Sequence, residues 1–299
     1  MPVFLTLGFG PNSSAVDDLG VRPGLVWTKG HQHIPAPPRA QPPGGLQTPR
    51  PGGTPIPRLL SEGYGWATFN YQDVEPDSGD GLPYGIRGHY LKDKNAQPAP
   101  DEWGAIAAWA WGMSRAEDYL ETDPSVDPKQ VAIFGVSRLG KAMMWAGAHD
   151  QRFALVIASC SGEGGASLSI RNYGETVADM NRAFAYQFAG NYQKYGSDVS
   201  KLPVDANLLV ALIAPRPLLP QTGSLDLWSD PKGEFLAEVA AEPVYALFGQ
   251  SGLGTDTWPP PGLPIVNTLG YFKHNGGHGV LPDDWQVFIN YLNINLRAK

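Results

Sequence analysis

Ser137 stands in Phe134-Gly135-Val136-Ser137-Arg138-Leu139-Gly140-Lys141, where an apolar run ends and a helical pattern begins. A serine at a strand-to-helix junction with small neighbours fits a nucleophile elbow. The sharp turn exposes the hydroxyl, and the following helix aims its first N–H groups at the same point, where they would stabilise an oxyanion. The general pattern G-x-S-x-G has its second glycine two residues after the serine, whereas here Arg138 and Leu139 both come before Gly140. Gly-x-Ser alone also describes an ordinary structural turn. The chemistry needs two more groups, a base to take the hydroxyl proton and a carboxylate to orient the base.

The base is sought in Lys273-His274-Asn275-Gly276-Gly277-His278-Gly279, after the last strand-like run and before the last helix-like one. His278, between glycines, is free to lean toward Ser137; His274, at the strand end, reads as structural. For the carboxylate, Ser224-Leu225-Asp226-Leu227-Trp228-Ser229-Asp230 preserves the order serine, acid, histidine. Asp226 is the expected acid, and Asp230 is expected to cap a helix starting at Pro231. Glu163, in Cys160-Ser161-Gly162-Glu163-Gly164-Gly165, occupies the other place from which an acid can reach the histidine.

Arg138 would set a guanidinium beside the developing alkoxide. An ordinary ion pair is a poor use for it, because the helix dipole repels cations at that end. Lys141, one turn later on the same face, is placed either to donate to sugar hydroxyls or simply to meet solvent. No metal site is expected: His31-Gln32-His33 has no carboxylate or thiolate at ligand spacing. Neither a G-x-G-x-x-G after a strand nor a P-loop is present, so no cofactor is implied.

These residues need a sheet with one functional edge. Pro2 to Gly10 reads as a buried strand running into a glycine loop, Trp66 to Tyr71, Val131 to Gly135, Ala154 to Ser159 and Thr268 to Phe272 read as strands, and Arg216 to Gln221 as a weak one. Trp103 to Leu120, Arg138 to Ala148 and Asp283 to Leu296 read as helices. Such alternation predicts an α/β fold, a mostly parallel central sheet covered on both faces, within one domain over 1–299. The chain enters its first strand with no turn before it, so earlier strands of the sheet are expected outside this sequence. A Pro/Gly-rich insertion spans about 21–57, and its stretch from Pro35 to Pro57 predicts irregular loop. Ser167 to Pro203, aromatic without strand period, predicts a helical excursion over the carboxyl ends of the strands, where ligands bind.

Lys+Arg (22) trail Asp+Glu (29), which excludes the basic footprint of a nucleic-acid or anionic-membrane binder. Nine Trp, 12 Tyr and 11 Phe suit sugar-stacking surfaces or plain core. The single cysteine, Cys160, allows no internal disulfide. No run approaches the roughly 18 apolar residues of a membrane span.

With these motifs in order, joined by Ser161-Gly162-Glu163-Gly164-Gly165-Ala166, Ala214-Pro215-Arg216-Pro217 and Asp226-Leu227-Trp228, the chain resembles the glucuronoyl esterases of carbohydrate esterase family 15, particularly the bacterial branch. The resemblance runs from Pro2 through Leu292. It implies an α/β-hydrolase that cleaves esters of (4-O-methyl-)glucuronic acid on glucuronoxylan through an acyl-enzyme on Ser137. It further implies Arg138 at the oxyanion, Lys141 and Glu175 on sugar hydroxyls, and Trp228 lining the sugar site. A monomer, secreted or periplasmic with its leader outside this chain, is expected. The chain departs from the family in having Val136 where Cys is usual before the nucleophile, and Cys160 where many members hold an acid. An acetyl xylan esterase and a catalytically inactive sugar-binding module are the alternative readings.

Overall fold

The computed structural model describes residues 1–16, 20–37, 53–91 and 97–296. In chain order its elements are β1 (Val3–Gly8), β2 (Leu25–Trp27), β3 (His33–Pro35), α1 (Ile56–Ser61), β4 (Gly65–Asn70), α2 (Ile86–Tyr90), α3 (Ala105–Leu120), β5 (Val131–Val136) and α4 (Arg138–His149). They continue as β6 (Leu155–Ser159), α5 (Val177–Ala183), α6 (Ala206–Ile213), β7 (Leu218–Gly223), α7 (Pro231–Leu247), β8 (Phe272–His274) and α8 (Asp284–Asn295). Six strands form one parallel sheet in the order β4-β1-β5-β6-β7-β8.

The central strands are continuous apolar runs because helices cover both of their faces. Successive side chains alternate between the faces. Val3, Leu5, Val131, Ile133, Val156 and Ala158 pack with Trp109 and Met113 of α3, Met143 of α4 and Phe235 of α7. Phe4, Ala132, Phe134, Leu155, Ile157 and Leu219 pack with Leu59 of α1 and Trp285, Phe288 and Leu292 of α8. A parallel sheet between two helical layers, with a serine turn leading from β5 into α4, is the α/β-hydrolase fold.

Three expectations change in detail. The last strand is Phe272–His274 rather than Thr268 to Phe272; residues before it form only isolated bridges, Leu218 to Leu269 and Ile265 to Tyr271. The proline-rich stretch is ordered at its two ends. Pro35 closes the β2–β3 hairpin, and Pro57 sits in the first turn of α1, where a missing N–H costs nothing; residues 38–52 lie outside the described residues. The weak strand expected over Arg216 to Gln221 runs instead over Leu218–Gly223, with Pro220 one residue before pairing with β8 begins at Gln221.

The stretch 167–203 is a helical excursion, built from α5 and 3-10 turns at Ser169–Arg171, Ala185–Gln187, Gly190–Tyr195 and Val199–Lys201. Thr176 and Asp179 form a reciprocal capping box that starts α5. Facing this excursion, the loop after β4 is pinned from below. Trp109 Nε1 donates to the Glu75 carbonyl at 2.9 Å, and Arg87 Nε pairs with Glu75 Oε1 at 2.9 Å, both charged groups being buried.

Candidate active site

Ser137 leaves β5 at φ 59°, ψ −129°, a strained conformation for a residue with a side chain, costing about 1–3 kcal/mol. The elbow is held by Ser137 N–H donating to Ser159 O at 2.8 Å and Lys141 N–H donating to Ser137 O at 3.0 Å. The late second glycine has a physical reason. A Cβ on Gly140 would lie 2.7 Å from Ser159 O, so Gly140 is where α4 crosses closest to the end of β6. Leu139, which interrupts the general motif, is fully buried in the core.

The turn after β7 carries Asp226 and the loop after β8 carries His278, both at the carboxyl edge where Ser137 sits. His278 Nδ1 lies 2.7 Å from Asp226 Oδ2 and 3.4 Å from Ser229 Oγ. The two loops are stitched by Ser224 N–H to His274 O (2.9 Å) and Leu225 N–H to Gly276 O (2.8 Å). Gly223 makes this possible, since a Cβ there would sit 2.1 Å from Gly277 O. Burial alone would raise the Asp226 carboxyl, but the hydrogen bonds from His278 and Ser229 outweigh it and hold it below the ordinary 3.8. Ser137 Oγ makes no hydrogen bond to His278 among the described residues; such contacts are often loose before substrate binds.

His274 is structural. Its buried ring meets Asp284 Oδ2 through Nδ1 (2.7 Å) and Gly277 O through Nε2 (2.9 Å), and Gln221 Nε2 also lies 3.0 Å from Nδ1. Burial opposes the charge, but the bonds to Asp284 and Gly277 prevail and the pKa is raised above 6.5. The folded value exceeds the unfolded one, so this stabilisation is complete below about pH 6.5 and is lost as pH rises through the folded value. The melting-temperature gap between the wild type and His274→Gln is therefore expected to shrink from pH 6 toward pH 9, with about 1.4 kcal/mol lost for each pH unit crossed between the unfolded and folded values. Thermal melts across that range check it.

Glu163, the rival acid, is directed elsewhere. Its Oε1 accepts from Ser169 Oγ and Tyr192 OH, each at 2.6 Å, which commits the carboxylate to the excursion rather than to His278. At the place where an acid would follow β6 stands Cys160. Its buried thiol, pushed up to about 12 by burial and the nearby carboxylates of Glu234 and Asp226, accepts the Gly279 N–H at 3.2 Å. Asp230 is also corrected: it sits at the start of α7, but its side chain makes no cap. It pairs instead with Arg171, Nε to Oδ2 at 2.6 Å.

Arg138 does form an ion pair at the helix start, with Asp77, and its guanidinium carbon lies 5.3 Å from the Phe184 ring centroid. Asp77 offsets the unfavourable dipole there, and sequence reasoning missed it. It also accepts from Tyr71 OH (2.7 Å), Tyr186 OH (2.6 Å) and Gln187 Nε2 (3.3 Å). An acid in a Gly-rich loop just after a strand was the available signal.

Lys141 is buried rather than solvated, and Nζ donates to Ser161 O (2.6 Å), Glu163 O (2.7 Å) and Glu175 Oε1. A ligand hydroxyl reaching Nζ has to displace one of these acceptors. Glu175 Oε1 also takes the Glu163 N–H at 2.9 Å, and its own N–H donates to Trp228 O at 2.6 Å. Trp228, whose backbone carbonyl holds Glu175 in this way, is itself exposed. Below it Glu234, fully buried and pushed up to about 8 by desolvation, accepts from Gly162 N–H (2.9 Å) and Ser161 Oγ (3.1 Å) and shapes the turn. His31 and His33 each meet one aspartate, Asp80 at 2.9 Å and Asp73 at 3.1 Å, pairs that the fold makes and the spacing does not show.

The arrangement as a whole offers a strained serine, an aspartate-bound imidazole on the same edge, an ion-paired guanidinium on the residue after the serine and a buried lysine–glutamate pair. The family described as "Glucuronyl esterase, fungi" matches residues 56–249. Carbohydrate esterase MZ0003, from an unknown prokaryotic organism, is 45% identical over 237 residues, covering 79% of this chain and 54% of that protein. The 4-O-methyl-glucuronoyl methylesterase 1 of Wolfiporia cocos is 32% identical over 209 residues, 65% of this chain and 48% of that protein. The chain thus spans about half the length of these two relatives. The solved glucuronoyl esterase from Solibacter usitatus superposes with TM-score 0.90 at 41% identity, covering 98% of this chain and 74% of that one. By sequence and by fold, this chain belongs to the glucuronoyl esterases of carbohydrate esterase family 15.

Proposed function

We propose that the chain is a serine esterase acting on esters of glucuronic acid, including the 4-O-methyl form, on glucuronoxylan outside the cytoplasm, and that it works as a monomer. The observation that carries this reading is the convergence on one sheet edge of the strained Ser137 and the hydrogen-bonded His278–Asp226 pair. His278 Nε2 takes the Ser137 proton as Oγ attacks the ester carbonyl. Arg138 and the first N–H groups of α4 receive the oxyanion. The alcohol leaves with the proton from His278, and water, deprotonated by the same nitrogen, releases the uronic acid. Glu175, Lys141 and Trp228 give a uronate ring paired polar groups beside an apolar face. The names of the relatives support the substrate class.

The test compares kcat/KM on benzyl glucuronate with that on an acetylated xylose. The uronate ester is expected to lead by at least about tenfold, because a site built to bond several hydroxyls rejects a ligand that leaves them unpaired. Preference for the acetyl ester would overturn the substrate assignment. One solved relative is described as a promiscuous esterase, which makes that comparison the informative one.

Asp77→Asn is expected to lower kcat roughly tenfold to hundredfold with little change in KM. Loss of the Asp77 charge frees Arg138 to shift, and a misplacement of about 1 Å suffices for such a loss, while Glu175, Lys141 and Trp228 are untouched. Steady-state kinetics on benzyl glucuronate read the split.

A further inference from the structure

The hydrolytic mechanism leaves one group at the site unused, the thiol of Cys160. Cys160, Asp226 and His278 each present one ligand atom, and these three atoms all lie within 4.8 Å of one another. Among the described residues this is the one cluster of at least three such side chains so arranged. Cys160 and Asp226 are more than nine-tenths buried, and the exposed His278 ring forms the way in. Sulfur, imidazole nitrogen and carboxylate oxygen together are the donor set of zinc-class ions, whose bonds run about 2.0–2.3 Å in tetrahedral geometry. Ligand atoms around such an ion stand roughly 3.3–3.8 Å apart. The pair His278 Nδ1 and Asp226 Oδ2, now 2.7 Å apart, therefore has to open by about an ångström or less. Hard ions such as magnesium gain little from a thiol and demand octahedral oxygen shells.

We propose that Cys160, Asp226 and His278 form an inhibitory site for a zinc-class divalent cation. That the ion inhibits rests on the esterase reading above; that it binds does not. Binding replaces the Cys160 S–H bond with a metal–sulfur bond and releases that proton to solvent, with no change of oxidation state. The metal takes the lone pair of His278 Nδ1, and the one ring proton, which Nδ1 shared with Asp226, moves through solvent to Nε2. In the neutral, coordinated ring the remaining proton sits on Nε2, so Nε2 has no lone pair with which to accept the Ser137 proton. The base is abolished while Lys141, Glu175 and Trp228 are untouched.

Two measurements on the full chain test this. In the first, zinc chloride is titrated against hydrolysis of benzyl glucuronate, with each variant normalised to its own metal-free rate. Inhibition of the wild type is expected at micromolar zinc, reversed by EDTA and not reproduced by magnesium. Cys160→Ala and Cys160→Ser should each weaken it at least about tenfold, since losing a ligand costs no less than losing an outer partner. In the second, cadmium is added and the ultraviolet thiolate-to-metal charge-transfer band is read, expected in the wild type and absent from both variants. Equal zinc sensitivity in wild type and variants, or no cadmium band in the wild type, would overturn the proposal. A cadmium band in a protein that cleaves no ester would support the site and sink the esterase reading instead. The serine variant keeps nearly the size of the cysteine, so the comparison survives if the alanine variant does not fold.

Discussion

Ser137→Ala is expected to reduce kcat on benzyl glucuronate by a factor on the order of 10⁶ while the protein stays folded. The loss is large because no neighbour can take over the attack. Cys160, beside His278, is buried, its thiol is held in the unreactive protonated form, and it accepts the Gly279 N–H. The fold should tolerate the change well, since Ser137 Oγ caps nothing and the elbow is held by backbone bonds to Ser159 and from Lys141. Binding of glucuronate measured by calorimetry should persist, because Glu175, Lys141 and Trp228 are untouched. A fluorophosphonate probe should label the wild type and not the variant. Turnover surviving in Ser137→Ala would remove the acyl-enzyme mechanism.

Asp226→Asn is expected to lower kcat by about 10⁴ with KM nearly unchanged. An amide at this position can donate to Nδ1, which favours the tautomer with its proton on Nε2, the wrong one for a base. No second carboxylate is placed to compensate. Glu163 is bound to Ser169 and Tyr192, and the position after β6 carries Cys160 rather than an acid. Glu163→Gln should therefore change kcat by less than about tenfold, its effect falling on the excursion that roofs the site. Steady-state kinetics on both variants, side by side, decide the assignment. The reverse ranking would make Glu163 the acid and require the excursion to rearrange on substrate binding.

The elements that place the chemistry were legible because each announces itself locally. Val131 to Gly135 and Ala154 to Ser159 are unbroken apolar runs, as strands covered on both faces must be. Thr268 to Phe272 misled because its apolar residues pack without pairing; Leu269 and Tyr271 are fully buried but make only single bridges. Pro35 and Pro57 looked like breakers and turned out to sit at an edge strand and a first helical turn, two positions where proline loses nothing.

By itself the sequence determined the order serine, acid, histidine at three strand ends, the elbow at Ser137 and the structural standing of His274, since order along the chain and local composition are one-dimensional properties. Tertiary structure alone decided who meets whom. The strand order β4-β1-β5-β6-β7-β8 puts the loops after β6, β7 and β8 side by side. That turns Asp226 onto His278, sends Glu163 to Tyr192 and brings Cys160 beside both Asp226 and His278. It also clamps Arg138 with Asp77, two residues far apart in the chain with no spacing from which the contact can be read. Hydrogen bonds and ion pairs act over about 3 Å, and only folding brings such groups that close.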